Sequence, residues 1–282
     1  MNWQSQYRFC IYLASVLPRF AAIMVAELLA RLNYICKPSE RTCIRRNQSC
    51  INQYSQLTNN PKVSALSVYR SFAHICVDLL YETKVDRANF ISVTHAADAK
   101  KIIEFSERHN GIVLATCHLG HWELGAMAMA CLGLPISVVA ESPDSKIGMQ
   151  TLIERRQKFG VQTLTGKMRM RSAIKQLTNG RSIGIAADRL YGSDGRRASL
   201  FGKDCNLPKG PLFLAQVTQK PIVLCVMIKS QNNGKNIFRI TFEDPIMPHN
   251  NDPKLAQVAL DQKMQSVIQR YPNEWCVFEN FF

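Results

Sequence analysis

The sequence predicts an α/β fold in which a mainly parallel central sheet is flanked by helices. Short apolar runs rich in β-branched residues alternate with longer helical patterns, and this alternation is typical of strands joined by crossover helices. The chain has 282 residues, of which 46% are hydrophobic, so it can bury a sizeable core. No internal repeat and no linker rich in proline, glycine or serine marks a domain boundary.

Residues 1–60 are predicted to form an N-terminal membrane-associated helical segment, and residues 61–282 the main domain. The apolar stretches at 9–17 and 20–32 are separated by Pro18, and each is too short to cross a bilayer core of about 30 Å. Two helices that lie on the membrane or dip into it fit this pattern. The basic residues that follow would then face the cytoplasmic lipid surface.

Two other interpretations of this N-terminal segment stay open. It could be an ordinary pair of core helices, or a tilted single span, because membrane helices tolerate a buried proline. No small-residue cleavage site ends the apolar stretch, so a secretory signal peptide is not expected.

The elements of the main domain follow from the same periodicities, and glycine or proline marks several of their ends. Gly133 and Pro135 stop one helix, Gly160 caps another, and Pro208 starts a third. Helices are predicted at residues 63–81, 96–108, 124–132, 146–159, 170–178, 208–218 and 253–271. Strands are predicted at 111–117, 136–140, 161–164, 182–187, 221–228 and 237–242. The stretch 190–206, with its glycines and cations, is predicted to be a loop.

The chain is strongly basic, with 35 Lys and Arg against 21 acidic residues and a net charge of +14. Such an imbalance predicts an anionic partner, although any single basic cluster could be a solvated face. No helix-turn-helix, zinc-finger or RNA-binding signature is present, so we expect no nucleic-acid partner. An anionic membrane surface, an acidic carrier protein and a phosphorylated substrate all remain.

The ten cysteines are predicted to be reduced thiols of a cytosol-facing protein. Several lie inside apolar runs, and no Cys-x-x-Cys pair occurs. Cys36, Cys43 and Cys50 recur every seven residues, which would place them near one face of a helix. That arrangement is more typical of packing than of metal binding.

The stretch His118-Leu119-Gly120-His121-Trp122-Glu123 is the main candidate for chemistry. It lies between the predicted strand 111–117 and the predicted helix 124–132. A histidine whose second ring nitrogen faces a carboxylate is a good general base for a hydroxyl, so His118 and Glu123 predict group transfer to an alcohol. Gly120 allows a tight turn, and backbone N–H groups from Gly120 to Trp122 could stabilise an oxyanion.

Three other interpretations concern this stretch. His118 and His121, with Glu123 near them, could hold zinc if this turn were helical, but a catalytic zinc normally needs three protein ligands and the sequence offers no obvious third. His121 could be a polar loop residue or a substrate contact. Cys117 could be a nucleophile, but it is expected to point away from His118 because alternate residues of a strand face opposite ways.

Asp188 and Arg189 end a second apolar strand. Ligands of open parallel sheets bind outside the carboxyl ends of the strands, so both residues are predicted neighbours of His118 that contact substrate. A salt bridge within the loop is the alternative. Arg171 stands at a predicted helix start, where a cation is unfavourable, and either binds an anionic ligand or is solvated.

These residues belong to a longer series of blocks. After His118–Glu123 come Arg171, Asp188 with Gly192, and three later blocks: Leu200-Phe201-Gly202, Gly210-Pro211-Leu212-Phe213-Leu214-Ala215 and Tyr271-Pro272-Asn273-Glu274-Trp275. With these blocks in this order over nearly its whole length, the chain resembles the bacterial lipid A biosynthesis acyltransferases, the late acyltransferases of the lysophospholipid acyltransferase superfamily.

The resemblance implies an acyltransferase domain over residues 61–282 with a fold like that of glycerol-3-phosphate acyltransferase. It implies attachment to the cytoplasmic face of the inner membrane, an acyl thioester donor, usually acyl carrier protein, and a membrane lipid acceptor such as a lipid A precursor. We expect no metal and no cofactor. Catalysis is expected from His118 and Glu123, and substrate binding from a second set: Gly120, His121, Arg171, Asp188 and Arg189.

Three departures from the family pattern concern the acceptor. His121 replaces an asparagine, Leu190 replaces the second acid of an Asp-x-Asp segment, and the last five residues lack the usual Trp, His and paired arginines. A related glycolipid, a lysophospholipid or a secondary-metabolite lipid therefore stays open as acceptor. A hydrolase or thioesterase that uses the same histidine, and a non-catalytic binding protein, are the alternatives outside acyl transfer.

Overall fold

A mixed sheet of seven strands forms the centre of the described chain. The computed structural model describes residues 12, 16–56, 64–82, 86–92, 94–140, 146–190, 192, 195–232, 235–248 and 253–282. The strands in the described residues are β1 Thr94–His95, β2 Val113–Thr116, β3 Ile136–Val139, β4 Gln162–Leu164, β5 Ser182–Ala186, β6 Gly195–Leu200, β7 Lys203–Pro208, β8 Ile222–Asn232 and β9 Lys235–Phe242. All of them except β6 and β7 belong to the central sheet.

Helices cover both faces of the sheet. They are α1 Arg19–Cys36, α2 Pro38–Gln56, α3 Ala65–Glu82, α4 Arg87–Ser92, α5 Ala99–Arg108, α6 Trp122–Cys131, α7 Lys146–Lys158, α8 Arg169–Thr178, α9 Gly210–Thr218 and α10 Pro253–Arg270, followed by a 3₁₀ turn at Pro272–Glu274. The predicted helices and strands of the main domain are confirmed to within a few residues. The short α4 and β1 lack a periodic pattern long enough to be predicted.

The strand order is β1-β9-β8-β2-β5-β3-β4. Every neighbouring pair is parallel except β8 and β9, which are antiparallel, so the predicted mainly parallel sheet is confirmed. β2 lies between β8 and β5, and both of its faces are buried. This explains why β2 is a continuous apolar run rather than an alternating one.

The predicted loop over residues 190–206 is wrong for most of its length. β6 and β7 form a separate antiparallel hairpin there. Phe201 and Gly202 make its two-residue turn with φ of 54° and 69°, which is the backbone geometry of a type I′ turn. Phenylalanine is an unusual first residue for that turn, so the sequence gives no clear hairpin signal there. The hairpin also buries only alternate residues against the main core, and its glycines and exposed cations are typical of a loop.

The N-terminal helices pack onto the main domain. α1 lies along α3, and a cluster of buried side chains joins α1, α2 and α3: Ala30, Ile44, Ala65, Val68 and Tyr69. Within the residues that the structure describes, no helix has both the length and the apolar character that a bilayer crossing requires. Most of the predicted helix 9–17 lies outside the described residues, and the division at residue 60 stays a prediction.

The seven-residue cysteine series is split between two helices. Cys36 is the last residue of α1, and Pro38 begins α2, so only Cys43 and Cys50 share a helix. The nine cysteines in the described part of the chain are free thiols.

Candidate active site

His118 and Asp188 form the centre of the candidate site. β2 and β5 are parallel neighbours with Thr116 opposite Ala186, and each strand is followed two residues later by one member of the pair. The Nδ1 atom of His118 lies 2.9 Å from Oδ1 of Asp188, and the backbone N–H of His118 donates to Oδ2 at 2.7 Å. The prediction that Asp188 is a neighbour of His118 is confirmed.

Asp188 is a buried carboxylate with several donors around it. Trp275 Nε1 donates to its Oδ2 at 2.9 Å, in addition to the two contacts from His118. Burial acts to raise the pKa of Asp188, but the charge and hydrogen bonds of His118 and the bond from Trp275 outweigh it and lower that pKa. Asp188 is therefore ionised at neutral pH and can stabilise an imidazolium on His118, as in other Asp–His pairs.

Glu123 has a different partner from the predicted one. Its two carboxylate oxygens lie 2.6 and 2.9 Å from Nη2 and Nε of Arg156, in a bidentate ion pair between α6 and α7. The carboxylate that contacts the imidazole of His118 is Asp188, so the expectation that Glu123 orients this ring is corrected. The reason is topological, because the carboxyl ends of neighbouring parallel strands meet, whereas Glu123 is in the first turn of α6.

A largely apolar cavity of about 490 Å³ adjoins the pair, lined by His118, Trp122, Glu123 and Arg156 together with side chains of the sheet, α6 and α7. Its volume lies within the range of about 300–1,000 Å³ that small-molecule sites occupy. The apolar wall includes Leu114, Met129, Ile136, Val138, Leu152, Ile185, Val226 and Ile240. The imidazole of His118 thus meets a space suited to a hydrocarbon chain, and its side chain keeps 14% of its surface exposed.

Gly120 is required by the backbone of the loop that carries His118. Its φ is +61°, and a Cβ there would lie 2.4 Å from the carbonyl oxygen of Met227. The loop is held to β8 at this point, because the N–H of His121 donates to that carbonyl at 2.6 Å. Gly120 therefore shapes the loop by close approach of two backbones.

The backbone donors expected from Gly120 to Trp122 are partly used within the fold. Gly120 N–H donates to the carbonyl of Glu274 at 3.0 Å, and His121 N–H donates to Met227. Trp122 and Glu123 are the first residues of α6, where N–H groups have no partner within the helix. An oxyanion hole at this corner would therefore use the N-terminus of α6 and not Gly120 or His121.

His121 turns away from the cavity. It is 3% exposed, and its Nε2 lies 3.0 Å from Oδ2 of Asp78 on α3. Lys229 and Arg19 also contact that carboxylate. Burial acts to raise the pKa of Asp78, but His121 and Lys229 hold it well below its ordinary value. The structure thus places His121 in a buried ionic cluster between the loop that carries His118 and the N-terminal helices, and not among the cavity residues.

The two predicted arginine contacts are not brought to the cavity. Arg171 is exposed on α8, and Arg189, although it follows Asp188, pairs with Glu279 at 3.1 Å. Arg189 thus forms a salt bridge, as the alternative had it, but with a residue near the end of the chain and not within its own loop. Neither residue is among those that line the cavity with His118.

Cys117 does not face the cavity either. It is fully buried in the hydrophobic core and is not among the cavity residues, and burial raises the pKa of its thiol well above the ordinary value. His118 and His121 contact separate carboxylates, Asp188 and Asp78. In the part of the chain that the structure describes, no three His, Cys, Asp or Glu side chains come together in a way that could hold a metal ion.

Three residues of the site were missed from the sequence. Trp275 and Asp78 come from distant parts of the chain, and only tertiary contact brings them to Asp188 and His121. Arg156 lies in the basic last turn of a predicted helix, and a basic cluster of this kind is typical of a solvated surface. One signal could have identified Arg156: a carboxylate such as Glu123, in a helix that packs against the sheet, needs a cation nearby when it is largely buried.

Comparison with known proteins places the chain in a family. The family model described as bacterial lipid A biosynthesis acyltransferase matches residues 3–282. One curated relative, the phosphatidylinositol mannoside acyltransferase of Mycolicibacterium smegmatis, is 29% identical over 171 residues, which cover 58% of this chain and 54% of the relative. The match therefore spans about half the length of that relative. With the family model matching almost every residue, the chain belongs to the bacterial lipid A biosynthesis acyltransferase family.

Proposed function

We propose that this protein transfers a fatty acyl group from a thioester to a hydroxyl of a membrane glycolipid, with His118 as general base. One observation carries the proposal: the imidazole of His118 is held by buried Asp188 and lines an apolar cavity. A base, its orienting carboxylate and a space for a hydrocarbon chain are the parts that such a transfer needs.

The reaction follows from the orientation of the ring. With Nδ1 of His118 bonded to Asp188, Nε2 is the atom that takes the proton from the acceptor hydroxyl. The hydroxyl oxygen then attacks the thioester carbonyl carbon, and the negative charge that develops on the carbonyl oxygen faces the N-terminus of α6. The carbon–sulfur bond breaks, and the departing thiolate takes the proton from the imidazolium. No covalent acyl-enzyme is formed.

Glu123 and Arg156 have a supporting part in this scheme. Both line the cavity, and their bidentate pair joins the start of α6 to α7. The pair fixes the first turn of the helix whose N–H groups would receive the oxyanion. In this proposal Glu123 acts on the shape of the site and not on the proton.

The acceptor class is inferred from the family and the relative. A lipid A precursor and a phosphatidylinositol mannoside are both glycolipids, and acyl transfer is the activity in both names. For the donor we propose acyl carrier protein, because the net charge of +14 favours an acidic partner. Acyl-coenzyme A carries the same thioester chemistry and is the donor to test beside it.

The proposed location is the cytoplasmic face of the inner membrane. One side of α1 presents a row of exposed apolar side chains, the α1 stripe: Phe20, Met24, Leu28, Leu32 and Ile35. On its other side α1 is held to α3, where Arg19 contacts both Asp78 and Glu82. A helix with one exposed apolar face next to basic residues is typical of proteins that lie in the surface of an anionic bilayer.

The test uses purified full-length protein in mixed micelles that contain a lipid A precursor or a phosphatidylinositol mannoside. Palmitoyl-acyl carrier protein and palmitoyl-coenzyme A are supplied in parallel, and lipid products are read by mass spectrometry. We expect a product that carries one more palmitoyl group. Release of free palmitate at the same rate without acceptor would instead indicate a thioesterase, and carrier binding without turnover would indicate a binding protein.

His118→Ala is the first matched variant in this assay. It removes the base and leaves the buried strand before it intact, so we expect kcat to fall by about 10²–10⁴-fold. Circular dichroism and the thermal midpoint serve as folding controls. Turnover close to wild type in the folded variant would show that His118 is not the base.

A further inference from the structure

Residues 274–282 form a strap across the loop that carries His118. This C-terminal strap makes an antiparallel contact in which Leu119 is opposite Trp275. Cys276 N–H donates to the carbonyl of His118 at 2.8 Å, and Gly120 N–H donates to the carbonyl of Glu274 at 3.0 Å. The backbone on both sides of Leu119 is therefore held by the strap.

Trp275 is the residue of this strap that reaches the catalytic pair. Its side chain is 1% exposed, and its Nε1 lies 2.9 Å from Oδ2 of Asp188. The same oxygen accepts the backbone N–H of His118, while Oδ1 faces the imidazole. The two contacts with His118 and the one with Trp275 together fix the orientation of the Asp188 carboxylate.

The indole has no direct access to substrate. It does not line the cavity, and the ring of Phe281 packs on it with 4.8 Å between centroids. Asn47 on α2 anchors the end of the strap by accepting the N–H of Phe281 at 3.1 Å and donating to the carbonyl of Glu279 at 2.9 Å. Any effect of the indole N–H on the reaction must therefore pass through Asp188.

We infer that Trp275 is a positioning residue, which holds Asp188 in line with His118 and sets how much of its charge the imidazole receives. The inference rests on the proposed function, since it assigns Trp275 to the base of that reaction. An indole N–H is a donor only, so it favours the ionised carboxylate and cannot compete for the proton of the histidine. A buried carboxylate that loses one of its donors becomes a stronger partner for its remaining ones.

This role predicts the direction of the change when the N–H is removed. Without it, Asp188 places more negative charge on the imidazolium of His118, so that form persists to higher pH. The acid limb of the kcat profile is expected to move to higher pH. The carboxylate is also less well held, and we expect kcat to fall roughly tenfold, the loss of one hydrogen bond to a charged group, with KM changed less than twofold.

The experiment compares two variants with the full-length protein. Trp275→Phe removes the N–H and part of the ring, whereas replacement of Trp275 by β-(3-benzothienyl)alanine keeps the shape and removes only the N–H. Phe281→Leu is the packing control, because it loosens the ring contact with Trp275 and leaves the bond to Asp188. The imidazole titration of His118 is followed by NMR on ¹⁵N-histidine-labelled protein, with His118→Ala to assign its signal among the six histidines.

The titration separates this inference from the proposed function, since it requires no turnover. We expect the His118 titration to move to higher pH in both Trp275 variants and to stay in place in Phe281→Leu. An unchanged titration in the benzothienyl variant would overturn the inference, whatever the loss of stability. Absence of transfer in wild type together with a shifted titration would contradict the proposed function and leave the positioning contact established.

Discussion

Two carboxylates, Asp188 and Glu123, belong to the region around His118, and they have different partners. Asp188 bonds to the ring and to the backbone N–H of the same residue, while Glu123 forms an ion pair with Arg156. The histidine therefore takes its orientation from the neighbouring strand and not from the helix that follows it. A spacing of five residues along the chain identified the right region and the wrong partner.

The two carboxylates can be distinguished by their amide variants. Asp188→Asn keeps the shape but removes the charge that stabilises imidazolium, so we expect kcat to fall by at least about 10²-fold, toward the full contribution of the base. Glu123→Gln leaves Arg156 without its counter-charge, and its main effect is expected on stability, about 3–5 kcal/mol, as for other buried ion pairs that lose one partner.

Both variants are measured for kcat in the micelle assay and for unfolding in urea. The control is Glu279→Gln, which removes an exposed carboxylate that pairs with Arg189 and is expected to change neither quantity much. A larger fall of kcat in Glu123→Gln than in Asp188→Asn, with both folded, would return the catalytic role to Glu123.

At the scale of elements, α1 has one side that packs against α3 and one side that is exposed. Its inner side carries Arg19 and Glu27, which form ion pairs with α3, and its outer side carries the α1 stripe. The sequence predicted a membrane-associated helix from the apolar run as a whole. The packing of α3 against α1 determines which side of α1 is covered, and an apolar run alone does not indicate which of its residues a neighbouring helix will cover.

The α1 stripe is expected to carry membrane binding. Phe20→Gln with Met24→Gln removes two large side chains that are 68% and 69% exposed. If both enter the lipid interface, each contributes about 1.5–3 kcal/mol, so we expect binding to weaken at least 100-fold. Sedimentation with vesicles of phosphatidylglycerol and phosphatidylethanolamine measures this.

The matched control lies on α10, where Leu255 and Val258 are 55% and 50% exposed. Leu255→Gln with Val258→Gln makes the same change in polarity at a distant apolar surface, and we expect vesicle binding to stay close to wild type. Equal loss in the two double variants would mean that general hydrophobicity, and not the α1 stripe, drives attachment.

At the scale of the whole molecule, the buried thiols make folding sensitive to alkaline pH. Burial, with the nearby charge of Asp261, raises the pKa of Cys205 from 9.0 to about 11. Its contribution to stability is therefore complete below pH 9 and is lost as the pH rises through 11. The loss amounts to about 2–3 kcal/mol, since each pKa unit corresponds to about 1.4 kcal/mol.

Urea unfolding of wild type and Cys205→Ala between pH 8 and pH 11 tests this effect. The variant has no thiol to ionise at this position, so the difference in unfolding free energy between the two proteins is expected to shrink as the pH rises. Cys36→Ala, at an exposed position at the end of α1, is the control. Parallel curves for wild type and Cys205→Ala would contradict the prediction.

The sequence by itself determined the layers of this protein and the region of its site. Apolar runs and their breaks predicted nearly every long element, because periodicity is a local property of the chain. His118, two residues after β2, and Asp188, two residues after β5, could likewise be predicted to meet, since neighbouring parallel strands end at one edge of the sheet.

Only the tertiary structure decided which side chains are partners. Asp188 and not Glu123 contacts the imidazole, His121 turns to Asp78, and Trp275 reaches Asp188 from the far end of the chain. Partner choice depends on which backbones approach closely enough to share a buried hydrogen bond. That distance is set by packing between elements remote in sequence, for which a local pattern carries no information.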